Sequence, residues 1–378
     1  MTHKIGITGQ AGFVGGHLYR TLSLDETFEL IPFERDFFEK QVKLSEFVSK
    51  CDAIVHLAAM NRHEDPQVIY DTNVALVSKL ITACETKGTT PHIFFSSSTQ
   101  EERDNLYGRS KKIGKDLFSE WAARSGGLFT SLTIPNVFGP FGKPDYNSVV
   151  ATFCSKVANN EEPTILKDGE VGLIYINDLV ERIINELKGG QEAKIFSDNS
   201  YELDIKPPYT KKVSVILDML YRFKNDYMTD GVFPNLQDPF ERDLFNTFRC
   251  YIPATHYPVK YTKHTDNRGS FVEIARTQTS GQFSFSTTVP GITRGNHLHT
   301  RKAERFAVIK GEARIELRKI GTDERITYLL DGKEPSYVDM PIWYTHNITN
   351  VGDEELITLF WINEPYDPKD PDTYFEDV

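Results

Sequence analysis

Three glycines spaced three apart follow the first apolar stretch of this 378-residue chain, in Lys4-Ile-Gly-Ile-Thr8-Gly9-Gln-Ala-Gly12-Phe-Val-Gly15. Lys4–Thr8 reads as a short buried strand and Gly16–Leu24 as a helix. A strand that turns into a helix through glycines lets backbone amides at the helix N-terminus approach a pyrophosphate. Such a unit needs a parallel sheet and crossover helices, and the next residues supply the alternation. Phe28–Phe33, Asp52–Leu57, His92–Ser97 and Leu128–Ile134 are short apolar strands, with helical periodicity over Pro66–Lys87 and Tyr107–Arg124. The expected architecture is an α/β Rossmann-type, doubly wound parallel sheet.

The end of the second strand bears on the cofactor. An acidic residue there bonds ribose hydroxyls and an arginine accommodates a 2′-phosphate. Glu34-Arg35 offers both, and Arg35 tips the reading toward NADPH over NADH. The candidate chemistry lies at Tyr107-Gly-Arg-Ser-Lys111. Four residues apart on a helix, phenol and ammonium share one face. A neighbouring cation favours phenolate, so the spacing predicts a lowered Tyr107 pKa suited to proton transfer. Ser96-Ser-Ser98 ends a strand just upstream, where a hydroxyl can meet a substrate carbonyl.

Helical patterns continue at Ser148–Asn159, Asp178–Lys188, Val213–Lys224 and Glu241–Arg249, and 229–240 reads as a loop. Gly189-Gly190 follows the second of these as a C-terminal stop would. From Tyr257 the texture changes to short strands punctuated by turns, among them Ser270–Arg276, Gln282–Val289, Arg305–Lys310, Ala313–Ile320, Arg325–Leu330 and Leu356–Ile362. Closely spaced strands of this kind make a small barrel or jelly roll. The expected domains are 1–250 and 251–378.

Within the second lies Gly291-Ile-Thr-Arg-Gly-Asn-His297-Leu-His299-Thr-Arg-Lys-Ala-Glu304. Residues two apart on a strand face the same way, so His297 and His299 aim into one space. A turn must bring Glu304 round to them. Two imidazoles and a carboxylate are three ligands of a metal site, and His346 is the candidate fourth. The ligand types suit zinc; manganese, iron and nickel accept them too. Taken alone, a His-x-His is more often a solvated strand edge than a ligand pair.

Composition narrows the partners. A formal net charge of −11 argues against general affinity for nucleic acid or an anionic membrane surface. The four cysteines lie far apart, which fits a reduced compartment. With no leader-like start and no apolar run of membrane-spanning length, a cytoplasmic protein without membrane insertion is expected.

The first-half residues resemble the extended short-chain dehydrogenase/reductase family, through Thr8-Gly9-x-x-Gly12-x-x-Gly15, His56-Leu-Ala-Ala59, Asn73, Ser96-Ser-Ser98, Tyr107-x-x-x-Lys111 and Pro135-Asn136-Val-Phe-Gly139-Pro140. The resemblance implies that Ser98 and Tyr107 polarise and protonate a carbonyl while Lys111 holds the nicotinamide ribose. It implies cofactor contacts from Gly9, Gly12, Phe13, Val14, Gly15, Leu57, Ala58, Ala59 and Asn73, and substrate contacts from Ser98 and Asn136. Three departures matter. Thr99-Gln100 stand where sugar dehydratases of the family carry an Asp-Glu pair, so water elimination is not expected. Only nine positions separate Ser98 from Tyr107, and Thr133 replaces a common arginine.

The second half resembles the cupin family. Its first motif is matched at Gly291, His297, His299, Glu304 and Gly311; its second at Pro341, His346 and Asn350, with Trp343 in place of a glycine. That resemblance makes His297, His299, Glu304 and His346 the metal ligands. A reductase followed by a cupin resembles the bifunctional capsular-polysaccharide enzymes of UDP-N-acetyl-L-fucosamine biosynthesis. It implies a homodimer and a UDP-4-keto-6-deoxy-N-acetylhexosamine substrate, epimerised at C3 by the cupin and reduced at C4 with NADPH to a UDP-2-acetamido-2,6-dideoxy-talose. Tyr344, His264 and Lys302 are candidates for the epimerase base. Two alternatives stand beside this reading: a plain keto-sugar reductase with a structural, dimerising cupin, and an NADP-binding redox sensor without turnover. An intact Ser98, Tyr107 and Lys111 set speaks against the sensor.

Overall fold

The computed structural model describes residues 2–261, 264–266, 269–271, 275–277, 282–364 and 367–378. The side chain of His264, the expected strand through 272–274 and the turn at 267–268 lie outside the described residues. The chain divides into two compact units, Met1–Val149 with Asp168–Val213, and Val150–Lys167 with Ser214–Val378.

In the first unit, β1 (His3–Thr8), α1 (Phe13–Ser23), β2 (Phe28–Ile31), α2 (Gln41–Val48), β3 (Ala53–His56), α3 (Pro66–Lys87), β4 (His92–Ser98), α4 (Leu106–Ser125) and β5 (Phe129–Ile134) alternate as expected. Then come β6 (Asn136–Phe138), α5 (Val149–Ala158, which groups with the second unit), β7 (Glu170–Tyr175), α6 (Ile176–Leu187), β8 (Lys194–Ser197), β9 (Ser200–Asp204) and β10 (Tyr209–Lys212). The main sheet runs β2-β1-β3-β4-β5-β9-β8, parallel except where β8 meets β9. Strand order reverses between β1 and β3. In such sheets ligands lie outside the carboxyl ends of the strands at that crevice. Thr8, His56 and Ser98 end β1, β3 and β4 on that edge.

Local chemistry sets the two helices that matter most. Asp65 caps α3 by accepting from the Gln67 amide at 2.8 Å, Pro66 occupies the first turn, and Gly88 ends it at φ 60°. Asn105 caps α4 through the Gly108 amide at 2.7 Å, and Gly126 ends it at φ 74°. These are the preferred start and stop residues of a helix. Between the helices and sheet lies an aromatic-rich core including Phe33, Phe47, Phe95, Phe118, Trp121 and Phe129.

The two five-stranded sheets of the second unit are antiparallel. One five-stranded sheet orders the strands 259–260, 336–340, 304–310, 356–362 and 282–288; another orders 325–331, 312–319, 344–350, 293–298 and 374–375. Phe306, Val308, Ile315, Leu317, Val338, Met340 and Ile348 form the apolar core. This is the expected cupin-like all-β arrangement. The strands at Ser336–Met340 and Tyr344–Asn350, on either side of Pro341–Trp343, are not among those the sequence pattern marks. Trp343 takes φ 60°, the left-handed conformation for which the motif ordinarily uses glycine. Residues 214–249 pack with this unit: α7 (Val213–Phe223) and α8 (Pro239–Arg249) frame a node in which Tyr227 hydrogen-bonds Asp339 and Phe233 lies 4.5 Å from Trp361. Asp339 also holds buried Arg305 at 2.7 Å.

Candidate functional site

The glycine turn closes by a bond from the Gly12 amide to the Gly9 carbonyl at 2.9 Å, and Gly12 is the N-cap of α1. Gly9 sits at φ 80°. A Cβ on Gly15 would lie 2.2 Å from the Gly9 carbonyl oxygen, so α1 approaches the turn as only glycine permits. The first turn of α1 carries no acidic residue, leaving its positive end available to an anion. Phe13 and Val14 open the helix. Leu57, Ala58 and Ala59 follow β3, held to β1 by the Leu57 amide on the Thr8 carbonyl at 3.1 Å and the Ala58 amide on Thr8 Oγ1 at 3.3 Å. Glu34 and Arg35 are both exposed just beyond β2, Arg35 opening a short 3-10 turn.

Asn73 is buried and already engaged. Its amide exchanges bonds with the Met60 backbone at 2.7 and 3.1 Å and reaches Ser110 Oγ at 3.1 Å. It ties the segment after β3 to α4.

Tyr107 lies in the first turn of α4, half-buried. Gly108 explains how the short loop fits: a Cβ there would meet the Gln100 carbonyl oxygen at 2.1 Å, so residues 99–105 lie against this turn. Lys111 is buried, donates to the Ser96 carbonyl at 2.7 Å, and stands 5.8 Å from the Tyr107 ring centroid. Burial lowers Lys111 to about 7. Burial also raises Tyr107 to about 12, although the Ser98 hydroxyl bonds it and pulls the other way. This corrects the expectation of a lowered Tyr107. Helical spacing puts the ammonium on the same face, but desolvation of the phenol dominates and the neighbouring Tyr146 phenol adds to it. Tyr107 is thus held in its protonated form, beside the buried Lys111.

The Asp-Glu pair of dehydratases has no equivalent at Ser98. Glu101 turns away to Ser97 and to Lys115 at 3.3 Å; Lys115 also pairs with Glu202 at 2.8 Å, which accepts from Thr133 at 2.9 Å. Asn136 is exposed and donates to the Gly172 carbonyl at 3.1 Å. One tie was not anticipated: buried His17 of α1 bonds the Pro140 carbonyl at 2.9 Å, joining the glycine-turn helix to the Pro135–Pro140 segment. A histidine inside an apolar helix face was its only trace in the sequence.

In the second unit, His297, His299, Glu304 and His346 converge, with one ligand atom from each lying within 4.8 Å of all the others. The bulge at Gly295/His297 sets His297 opposite His346 on the neighbouring strand. Glu304 opens a strand of the other sheet, so both sheets contribute. The Nε2 atoms of His299 and His346 stand 3.3 and 3.2 Å from one Glu304 oxygen, yet all three atoms are buried and lack hydrogen-bond partners. Buried polar atoms are seldom left so. Burial would raise Glu304, but the two imidazoles hold it well below the ordinary carboxylate range. Burial and the adjoining imidazoles push His297 down to about 4, favouring the neutral, ligating form. Three imidazoles and a carboxylate with converging unpartnered lone pairs fit a divalent cation. His299 and His346 use their other nitrogens on the carbonyls of Asp372 at 2.5 Å and Tyr344 at 3.3 Å, the usual support for metal-bound histidine. Gly291 and Gly311 take φ 77° and 82° at turns, and Asn350 holds the Thr288 and Glu354 carbonyls. Of the base candidates, Lys302 donates to the Pro371 carbonyl at 2.6 Å, and burial raises the Tyr344 phenol well above its usual range.

Comparison with known proteins places these features in context. Residues 5–196 match the NAD dependent epimerase/dehydratase family, and residues 264–374 match the polysaccharide biosynthesis C-terminal domain. The UDP-2-acetamido-2,6-beta-L-arabino-hexul-4-ose reductase of Pseudomonas aeruginosa is 34% identical over 372 residues, covering 98% of each chain. The crystal structure of the capsular polysaccharide assembling protein CapF from Staphylococcus aureus is similar with a TM-score of 0.62 and 36% identity, over 99% of this chain and 100% of that one. RMD from Pseudomonas aeruginosa, complexed with NADPH, shares the fold of the first half: TM-score 0.52 and 19% identity over 59% of this chain and 84% of that one.

Proposed function

Because this chain belongs to the NAD dependent epimerase/dehydratase family and has a full-length reductase relative, we propose that it is a bifunctional nucleotide-sugar enzyme of capsular polysaccharide synthesis. Residues 1–250 carry the reductase chemistry and 251–378 the epimerase. The substrate is a UDP-4-keto-6-deoxy-N-acetylhexosamine, inverted at C3 and then reduced at C4 to a UDP-2-acetamido-2,6-dideoxy-talose. The observation that carries this reading is the Ser98–Tyr107–Lys111 group at the carboxyl edge of the sheet, beside the glycine turn.

NADPH, when bound, would supply the hydride. Gly9, Gly12 and Gly15 would admit its pyrophosphate to the start of α1, and Arg35, exposed beyond β2, would meet a 2′-phosphate. Ser98 and Tyr107 bond the C4 carbonyl oxygen, and Tyr107 gives that oxygen its proton as the carbinol forms. Lys111, in its protonated form, favours the phenolate left behind.

A C3 proton beside a C4 ketone is acidic because its enolate delocalises charge, and an electrophile near the ketone oxygen lowers the barrier to exchange. His297, His299, Glu304 and His346 would hold a divalent cation, zinc by ligand type, that supplies this polarisation. The protonated Tyr344 phenol suits proton return better than proton abstraction. A second reading is favoured by the completeness of the ligand set: four protein ligands are typical of structural zinc, in which case the metal braces the barrel.

The test uses the full chain with the 4-keto sugar and NADPH in deuterium oxide, followed by NMR and absorbance. Tyr107→Phe should cut NADPH oxidation by roughly 100-fold or more while C3 exchange continues; unchanged oxidation removes Tyr107 from the chemistry. His297→Ala should lose metal and C3 exchange together. A C3-inverted product formed at the wild-type rate by this variant would exclude the metal centre from the epimerisation.

A further inference from the structure

The segment joining His299 to Glu304 does not hold itself. Asp372, 73 residues beyond His299, is 2% exposed and takes φ 41°. Its carboxylate accepts four bonds: from the Thr300 amide at 3.0 Å and hydroxyl at 2.7 Å, and from the Arg301 and Lys302 amides at 3.1 Å each. Its carbonyl accepts from His299 Nδ1 at 2.5 Å, leaving the Nε2 lone pair facing the other ligands. Neighbours reinforce the arrangement. Lys302 Nζ donates to the Pro371 carbonyl at 2.6 Å, Arg301 pairs with Asp370 at 2.8 Å, and Tyr374–Phe375 pair in register with Leu298 and His297.

From this geometry we infer that Asp372 is a positioning residue of the metal centre, and that the tail 370–375 fixes the turn between two ligands in its binding conformation. The inference rests on the reading of the four-residue cluster as a metal site. One carboxylate satisfies three consecutive backbone amides, so the turn has a single favoured shape. One carbonyl selects the tautomer of His299. Removing the carboxylate leaves the tail sequence, its strand pairing and the His299 carbonyl contact able to form, but frees the turn that aims Glu304.

The test measures zinc binding by chelator competition and the visible spectrum of the cobalt(II) form, on the full chain. Wild type should take up one equivalent. Asp372→Ala should weaken affinity by about 10–100-fold, as loss of a support around metal ligands does, and should shift the cobalt bands. Asp372→Asn, which keeps one acceptor oxygen, should fall between. Melting of the metal-free proteins separates positioning from general stabilisation: the rise in melting temperature on adding zinc should shrink in the variants. Wild-type affinity and spectrum in Asp372→Ala would overturn the inference; if that variant does not fold, the same result in Asp372→Asn overturns it. Failure of wild type itself to bind zinc would instead overturn the metal reading.

Discussion

Lys111 provides the sharpest test of how this fold trades stability for chemistry. Its ammonium is 3% exposed, and burial lowers it from 10.5 to about 7. Holding a proton on such a group at neutral pH costs the folded state up to ~5 kcal/mol. Replacement by methionine removes that cost and keeps most of the volume, but leaves the Ser96 carbonyl without its 2.7 Å donor. An unsatisfied buried acceptor costs ~1–3 kcal/mol. Lys111→Met should therefore stabilise the first unit by ~2 kcal/mol near pH 7 while cutting NADPH oxidation by roughly 100-fold or more. The sign with pH is fixed by linkage. Between pH 7 and 10.5 the unfolded chain retains a proton that the folded chain has released, so wild-type stability rises with pH through that window. The variant lacks the rise, so its advantage is gone by about pH 9 and reverses above it. Pulse proteolysis in urea at pH 6.5, 8 and 9.5, read by mass spectrometry of peptides from β3 and β4, reports this unit separately. A variant no more stable than wild type at pH 6.5, or a difference independent of pH, would refute the picture of a desolvated ammonium.

Two further outcomes are expected. Gly15→Ala puts a methyl 2.2 Å from a backbone oxygen that cannot swing aside, so NADPH affinity should fall more than 10-fold with ~1–3 kcal/mol of stability lost; fluorescence titration showing wild-type affinity would contradict the close approach of α1 to the turn. Burial lowers His56 to about 3, so its contribution is whole above pH 6.5 and is lost as pH falls toward 3, where the unfolded chain binds the proton first. His56→Asn should flatten the urea midpoint between pH 6.5 and 4, and an unchanged acid limb would count against this assignment.

Local pattern made much of the molecule legible. Pro66–Lys87 could be bounded to the residue because an N-cap, a first-turn proline and a terminal glycine all mark it. The glycine spacing announced the turn at α1, the four-residue spacing of Tyr107 and Lys111 put them on one helix face, and the two-residue spacing of His297 and His299 aimed both imidazoles together. Each is a consequence of backbone periodicity, which sequence carries directly. The strands β6 to β10 and helix α2 were missed, being short segments whose state is set by the neighbours they pair with rather than by their own pattern.

What only the tertiary structure decided is whatever depends on desolvation or on contacts far apart in the chain. Same-face spacing could not show that burial dominates at Tyr107, because burial is a property of everything packed around the site. Nor could it reveal that 214–249 packs with the second unit, or that Asp372 organises the turn between His299 and Glu304. Periodicity tells a residue which way to face; only the folded chain determines what it meets there.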